Sequence, residues 1–414
     1  MEFTLRNDEL YCEDVPLAEI AEKIGTPCFV YSTAALLKAY EDLDRAFSGV
    51  EHLICFSVKS NGNLAVLSLL SRHGAGMDIV SRGELFRSLK AGVPAERIVY
   101  SGVGKTRGEI RYALESGILS FNVESLPELE ALDREAGLLG KRAPVSLRIN
   151  PDVESHTHEY TATGKKENKF GIPYAGALQA YAQAAGYRNL EIRGIDTHIG
   201  SQITSFEPFI QAFRKIADLF NTLRNKGFDL QFCDIGGGLG IAYRDETPLT
   251  AEQYASAVRP ILEPLGCRII LEPGRFISGN AGVLLTRVIH FKQTGVRNFA
   301  VVDAGMNDLI RPSLYGAYHE ILPVHANGGP EVKMDVVGPI CESGDFLAKE
   351  RELPRVEEGE LLAVMSAGAY GFAMASNYNA RPRAAEVLVD GEKFSVVRRR
   401  ETYEEMIAGE QLPA

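Results

Sequence analysis

From residue 52 to about 275 the chain repeats one pattern: a short run dense in apolar, β-branched and aromatic residues, then a longer stretch whose apolar positions recur every three or four residues. The runs are CFSVKS (55–60), GMDIVS (76–81), RIVYSG (97–102), SFNVES (120–125), VSLRINP (145–151), GIDTHIGS (194–201), FCDIGGG (232–238) and RIILEPG (268–274). Short apolar runs of this kind predict strands covered on both faces. The stretches between them, such as GELFRSLKAG and SLPELEALDREAG, have helical spacing and close on glycine, as helix C-termini often do. Eight strands alternating with helices predict a (β/α)8 barrel, whose usual size of roughly 250 residues fits the stretch. A doubly wound open sheet is the alternative for the same pattern.

The pattern changes on either side of this stretch. TPCFVYS (26–32) predicts one further strand, and beyond residue 280 runs such as AGVLLTRVIHFKQ, NFAVVDAG, VKMDVVG, ELLAVMSAG and AAEVLVDGEKFSVVRR are separated by Pro, Gly and Asn turns. These predict a mainly antiparallel β-sandwich or β-barrel domain. The expected division is a barrel over 33–278 and a β domain built from 1–32 and 279–414, with no internal repeat or low-complexity tract.

Composition narrows the classes. The 414 residues are 45% hydrophobic and 24% charged, which is ordinary for a globular protein. The first residues, MEFTLRNDELYCEDVPL, have neither a basic nor an apolar leader region, and no stretch offers about eighteen consecutive apolar residues, so a cytoplasmic location is expected. A net charge of −11 without long like-charged blocks argues against a general nucleic-acid surface. The six cysteines are scattered with no CxxC pair, so any cysteine with a role acts as a thiol.

Chemistry-bearing residues gather at the C-terminal ends of the predicted barrel strands, where barrels of this kind place their active sites. Lys59 ends the first run, His198 and Ser201 the sixth, Gly236, Gly237 and Gly238 the seventh, and Glu272, Gly274 and Arg275 the eighth. A lysine in a partly desolvated barrel mouth is available as a neutral nucleophile, and such amines condense with pyridoxal phosphate. The glycines leave backbone N–H groups open to a phosphate, Ser201 adds a hydroxyl, Glu272 suits a protonated pyridine nitrogen and His198 a ring face. Taken singly, each has an ordinary structural reading, as solvated lysine, hydrogen-bonded histidine or tight turn; their joint placement favours function.

Three other signals lead nowhere. GVGKT (102–106) lacks the first glycine of a P-loop, because position 99 is Val99; GGGLGI (236–241) ends on Ile241 where a dinucleotide fingerprint has glycine. His156 and His158 form an H-x-H pair, but no neighbouring carboxylate or thiol pattern completes a metal site.

With these residues placed, the sequence resembles, nearly end to end, the pyridoxal-phosphate-dependent decarboxylases of the alanine-racemase-like fold, and within them the enzymes acting on meso-2,6-diaminopimelate. The resemblance rests on FSVKSN around Lys59, GMDIVSRGEL (76–85), TGKKENKFGIP (163–173), HIGSQI (198–203), DIGGGLGI (234–241), EPGR (272–275), RPSLYGAYH (311–319), GPICESGD (338–345) and AGAYGFAMASNYNARPRAAEVLV (367–389). It implies that Lys59 carries the cofactor, His198 stacks on its ring, Glu272 meets the pyridine nitrogen, and Ser201, Gly236, Gly237, Gly238, Gly274 and Tyr370 hold its phosphate. It further implies that Arg275, Arg311 and Tyr315 bind the substrate's distal carboxylate, with Tyr370 close by, that Glu342 lies near the distal amino group, and that Cys341 delivers a proton. Cys341 and Glu342 would come from the partner subunit of a homodimer. The reaction implied is decarboxylation to L-lysine, the last step of lysine biosynthesis.

Arg275 and Arg311 suit this reading because a guanidinium offers a carboxylate a planar, permanently charged fork. The setting of Cys341 in GPICESGD, a Gly-Pro turn followed by acids, predicts an exposed loop rather than a buried thiol. KKENK (165–169) is either an active-site lid or a solvated loop. The rival readings are a sister decarboxylase acting on ornithine, arginine, carboxynorspermidine or a siderophore precursor, a racemase, and a cofactor-binding module without turnover. A racemase of this fold would be expected to place a tyrosine where GPICESGD has its cysteine, and single-barrel binding proteins lack the second domain.

Overall fold

A computed structural model describes residues 2–154, 169–326 and 328–413. By compactness the chain divides into a barrel unit, residues 39–241 with 247–276, and a β unit, residues 1–38 with 242–246 and 277–414. The His156/His158 pair and positions 165–168 of the KKENK run lie outside the described residues.

In the barrel unit, eight parallel strands close on themselves among the described residues: β1 (His52–Ser57), β2 (Gly76–Ile79), β3 (Ile98–Tyr100), β4 (Ser120–Val123), β5 (Ala143–Asn150), β6 (Leu190–Asp196), β7 (Phe232–Asp234) and β8 (Arg268–Leu271). Closure comes from Ile269 and Leu271 of β8 pairing with His52 and Ile54 of β1. A doubly wound sheet would have left two edges instead. Cys55, Val99, Phe232 and Ile270 form one buried cluster. Strands as far apart as β3 and β7 can meet only through the interior, so the barrel is filled by side chains.

Side-chain caps start the helices soon after the strands. Asn63 accepts from the Ala65 N–H at the head of helix Leu64–Arg72, Ser81 from Glu84 at Arg82–Lys90, and Thr106 forms a reciprocal capping box with Glu109. Each cap satisfies N–H groups the first helical turn leaves open, so the chain reverses from strand to helix within a few residues. One expected boundary moves: helix Leu126–Leu138 runs through Gly137 instead of ending there. A Cβ at Gly137 would lie 2.7 Å from the Asn189 amide, so this glycine serves close packing, while Gly140, with φ +62, turns the chain.

In the β unit, strand Gly282–Gln293 is central and pairs antiparallel with Cys28–Ser32, Asn298–Val302 and Leu361–Val364. Two pairings are parallel, Asn298–Val302 with Glu331–Val337 and Cys28–Ser32 with Ala385–Asp390. The sheet is thus mainly but not wholly antiparallel. Its core brings Val30, Val283, Leu285, Ala363 and Val387 against Leu10, Leu17 and Ile20 from the N-terminal segment.

Candidate active site

Every barrel residue singled out from the sequence lies at or just beyond the C-terminal end of its strand. Lys59 follows β1 by two residues, and its Nζ is ion-paired with Oδ2 of Asp78, a fully buried residue of β2. The Ser57 hydroxyl donates to the same Asp78 oxygen at 2.8 Å and lies 3.0 Å from the Glu272 carbonyl. The Lys59 side chain is partly desolvated, 36% exposed, and it has a buried counter-ion that the sequence reading did not foresee. That partner arises because β1 and β2 are neighbours, which the spacing of 59 and 78 along the chain does not reveal.

Glu272, immediately after β8, is buried, and its Oε1 accepts from Ser101 at 3.2 Å and from the Asn122 amide at 3.1 Å. The same amide lies 3.1 Å from Asp234 Oδ2 at the end of β7, while Asn122 Oδ1 accepts from Ser146 at 2.6 Å. Carboxylate oxygens of Asp196, Asp234 and Glu272 lie within 4.8 Å of one another, all buried. Burial, then the charges of Asp234, Asp78 and Asp196, push the Glu272 carboxyl well above the usual range. Burial raises Asp196 likewise, with Asp234 adding to it, and pushes Asp234 up to about 7. Crowded buried carboxyls oppose one another's ionisation, and a nearby cation offsets that opposition, as Arg148 does for Asp196 and Lys59 for Glu272.

The glycine turn after β7 has its own geometry. Gly236 and Gly238 have φ of +65 and +108, and a Cβ at Gly237 would meet the Glu272 carbonyl oxygen at 2.2 Å. Gly237 is therefore required by the close approach of the β7 and β8 ends, and Gly236 and Gly238 by their left-handed backbone and their approach to the Thr197 and Gly200 carbonyls, before any phosphate is considered. Two of the three amides are engaged within the protein: Gly236 N–H donates to Asp234 Oδ1 at 3.0 Å and Gly237 N–H to His198 Nδ1 at 3.1 Å. The second bond assigns the imidazole, since an acceptor Nδ1 leaves the ring proton on Nε2. Burial, reinforced by Arg148 and Lys59, holds His198 well below its ordinary pKa, so the ring is neutral. Arg275 donates to the Ser201 hydroxyl oxygen from Nε at 3.3 Å and from Nη2 at 3.1 Å, which leaves that hydroxyl's own proton for another acceptor.

In the β unit, Arg311 begins a short helix, Arg311–Tyr315, and is buried. Cys341 and Glu342 are exposed, as expected of a Gly-Pro loop. That loop is pinned: Asp345 accepts from the Met306 and Ile340 N–H groups at 2.6 Å each, Ser313 of the helix donates to the Gly344 carbonyl at 2.5 Å, and Asn379 accepts from the Cys341 N–H at 2.7 Å. Tyr378 donates to Glu342 at 2.7 Å. The unit thus brings the Arg311–Tyr315 helix beside the Cys341–Glu342 loop. Tyr370, half-buried, has a left-handed backbone with φ +57.

Residues 33–279 match the family model described as the pyridoxal binding domain of pyridoxal-dependent decarboxylases. The chain is 54% identical over 410 residues, 99% of each protein, to the diaminopimelate decarboxylase of Pseudomonas aeruginosa. The chain belongs to the pyridoxal-dependent decarboxylase family. Among solved structures, diaminopimelate decarboxylase from Helicobacter pylori complexed with L-lysine matches with TM-score 0.92 and 42% identity, covering 95% of this chain and 99% of that one. The M. jannaschii enzyme in complex with L-lysine matches with TM-score 0.95 and 37% identity, covering 99% and 98%.

The barrel mouth fits the cofactor of this decarboxylase family on its own chemistry. A buried cluster of carboxyls matches a cationic pyridinium, and among the described residues Asp78 Oδ1 and Asp196 Oδ1 are buried oxygens without hydrogen-bond partners. Sequence reading missed the groups behind the named residues: Asp78, Ser101, Asn122, Asp196 and Asp234. Their one signal was polarity inside otherwise apolar runs, as in GMDI and SFNV, where a strand buried on both faces has no solvent to offer a carboxylate or amide.

Proposed function

We propose that this pyridoxal-phosphate-dependent decarboxylase converts meso-2,6-diaminopimelate to L-lysine and carbon dioxide, completing lysine biosynthesis. The observation that carries the reading is the Lys59 amine beside buried Asp78, with Glu272 on the adjoining strand end, in a chain 54% identical end to end to a diaminopimelate decarboxylase. The barrel, 33–278, is the cofactor domain, and 1–32 with 279–414 the β domain that contributes substrate-binding groups. The protein works in the cytoplasm; among the described residues no helix is long and apolar enough to cross a membrane.

Pyridoxal phosphate, when bound, supplies the electron sink that takes up the pair left as the bond to the departing carboxyl carbon breaks. The Lys59 amine would hold it covalently. Glu272 would meet the pyridine nitrogen, and Ser101 and Asn122 hold that carboxyl in place. Neutral His198 would lie against the ring without adding a positive charge. Ser201, Gly274, Tyr370 and the 236–238 turn hold the phosphate; Gly236 and Gly237 contribute small size, since their amides have protein partners. Arg275, Arg311 and Tyr315 take the distal carboxylate, and Glu342 the distal ammonium group. Cys341 provides the proton that replaces the carboxylate on carbon, and it does so, with Glu342, in the site of the partner subunit of a homodimer.

The test is an assay of the purified protein with pyridoxal phosphate, following carbon dioxide and lysine from meso-diaminopimelate beside ornithine, arginine and L-lysine. Turnover of meso-diaminopimelate alone is expected. Turnover of ornithine or arginine instead would retain the barrel chemistry and overturn the roles given to Arg275, Arg311, Tyr315 and Glu342.

A further inference from the structure

RPSLYGAYH ends in a histidine to which nothing above assigns a part. His319 is fully buried in the β unit and lies on Arg311, eight residues earlier: Nη1 of Arg311 is 2.9 Å from His319 Nε2. On the other side of the ring, Nδ1 is 2.8 Å from the Met365 carbonyl oxygen. Because a guanidinium only donates and a carbonyl only accepts, both contacts are hydrogen bonds in one arrangement alone, the neutral ring with its proton on Nδ1. The Met365 backbone is anchored one peptide earlier, where its N–H donates to the Glu320 carbonyl at 2.8 Å, next to the histidine. Tyr243 completes the clamp, its ring centroid 4.7 Å from the Arg311 guanidinium carbon and 5.4 Å from the imidazole, edge to face.

We infer that His319 is a positioning residue for Arg311, its Nε2 holding the guanidinium in one plane so that the fork is presented ready-made to the substrate's distal carboxylate. The inference rests on the proposed role of Arg311. Chemistry favours a histidine over an acid here: a carboxylate in the same place would cancel the charge that the substrate must meet, whereas a neutral imidazole orients the fork and leaves its charge intact. A buried, pre-oriented donor also loses less entropy on binding than a free arginine.

The product provides a probe independent of turnover. Diaminopimelate loses one carboxylate and the other becomes the carboxylate of L-lysine, so lysine inhibition reads the distal pocket, while 1,5-diaminopentane, without any carboxylate, does not. The informative pair is His319→Asn and His319→Gln. Asparagine can preserve the donor to Met365 but falls short of Arg311, while the longer glutamine can place its amide oxygen on Arg311. His319→Asn should raise both the KM for meso-diaminopimelate and the inhibition constant of L-lysine by about tenfold or more, the size expected on losing a hydrogen bond to a charged group. It should change kcat far less than KM, as expected when ground-state binding is lost. His319→Gln should recover most of the loss, and inhibition by 1,5-diaminopentane should stay the same in both. Lysine inhibition unchanged in His319→Asn, or lysine and diaminopentane weakened together, would overturn the inference. Arg311→Met separates the two failures: if it too leaves lysine inhibition unchanged, the role of Arg311 itself is wrong; if it weakens lysine while His319→Asn does not, only His319 is misassigned.

Discussion

The thiol of Cys341 stands exposed at a turn whose backbone is held by Asp345, Ser313 and Asn379. A fixed backbone under an exposed side chain is what a proton donor needs, because its reach is set in advance. Cys341→Ala should therefore preserve the cofactor's absorbance and slow turnover at least about tenfold, within the usual range for a lost general acid; an unchanged rate removes the thiol from the mechanism. Asp234 gives a second residue-scale prediction. Its folded-state pKa, about 7, lies above that of an unfolded aspartate, so the protonated form stabilises the fold fully at low pH and that contribution is lost as pH rises through 7. In cofactor-free protein the melting temperature of Asp234→Asn, measured relative to the parent, should rise by several degrees between pH 5 and 8. A difference that is flat with pH would show that Asp234 ionises normally. Lys59, His198 and Glu272 were legible because each breaks an apolar run at its end; Asp78 and Asn122 were not, because their partners, Lys59 and Glu272, are brought to them only by strand order.

Elements were legible where burial and pattern agree. All eight barrel strands follow from their apolar runs, since a strand covered on both faces has no other composition available. Strand Phe346–Pro354 was not foreseen: its sequence, FLAKERELP, is charged along an edge strand that needs one covered face at most. The glycine turn is an element-scale constraint. With 2.2 Å between a Cβ at 237 and the Glu272 carbonyl, Gly237→Ala must separate the ends of β7 and β8. A loss of about 1–3 kcal/mol, typical of overpacking, and weakened pyridoxal phosphate binding are expected. Thermal melts and a cofactor titration check this, and parental values in both would mean that the turn relaxes without moving Glu272.

At the scale of the molecule, the proposed homodimer makes a separable claim, because Lys59 and Cys341 would serve one site from different subunits. Mixed in equal amounts and allowed to exchange, inactive Lys59→Ala and weakened Cys341→Ala proteins should form hybrids with one intact site, restoring about a quarter of full activity for random pairing. Activity no higher than the average of the separate variants would place both residues on the same subunit. By itself the sequence determined the run of alternating strands and helices, the β-rich remainder, and the strand-end residues, because burial and helical or extended spacing are local properties written along the chain. Only the tertiary structure decided that Lys59 has a counter-ion in Asp78, that carboxyls from different strands gather around Glu272, and that His319 faces Arg311. Those are pairwise energies between groups distant along the chain, and they exist only once β-sheet register and packing have set the distances.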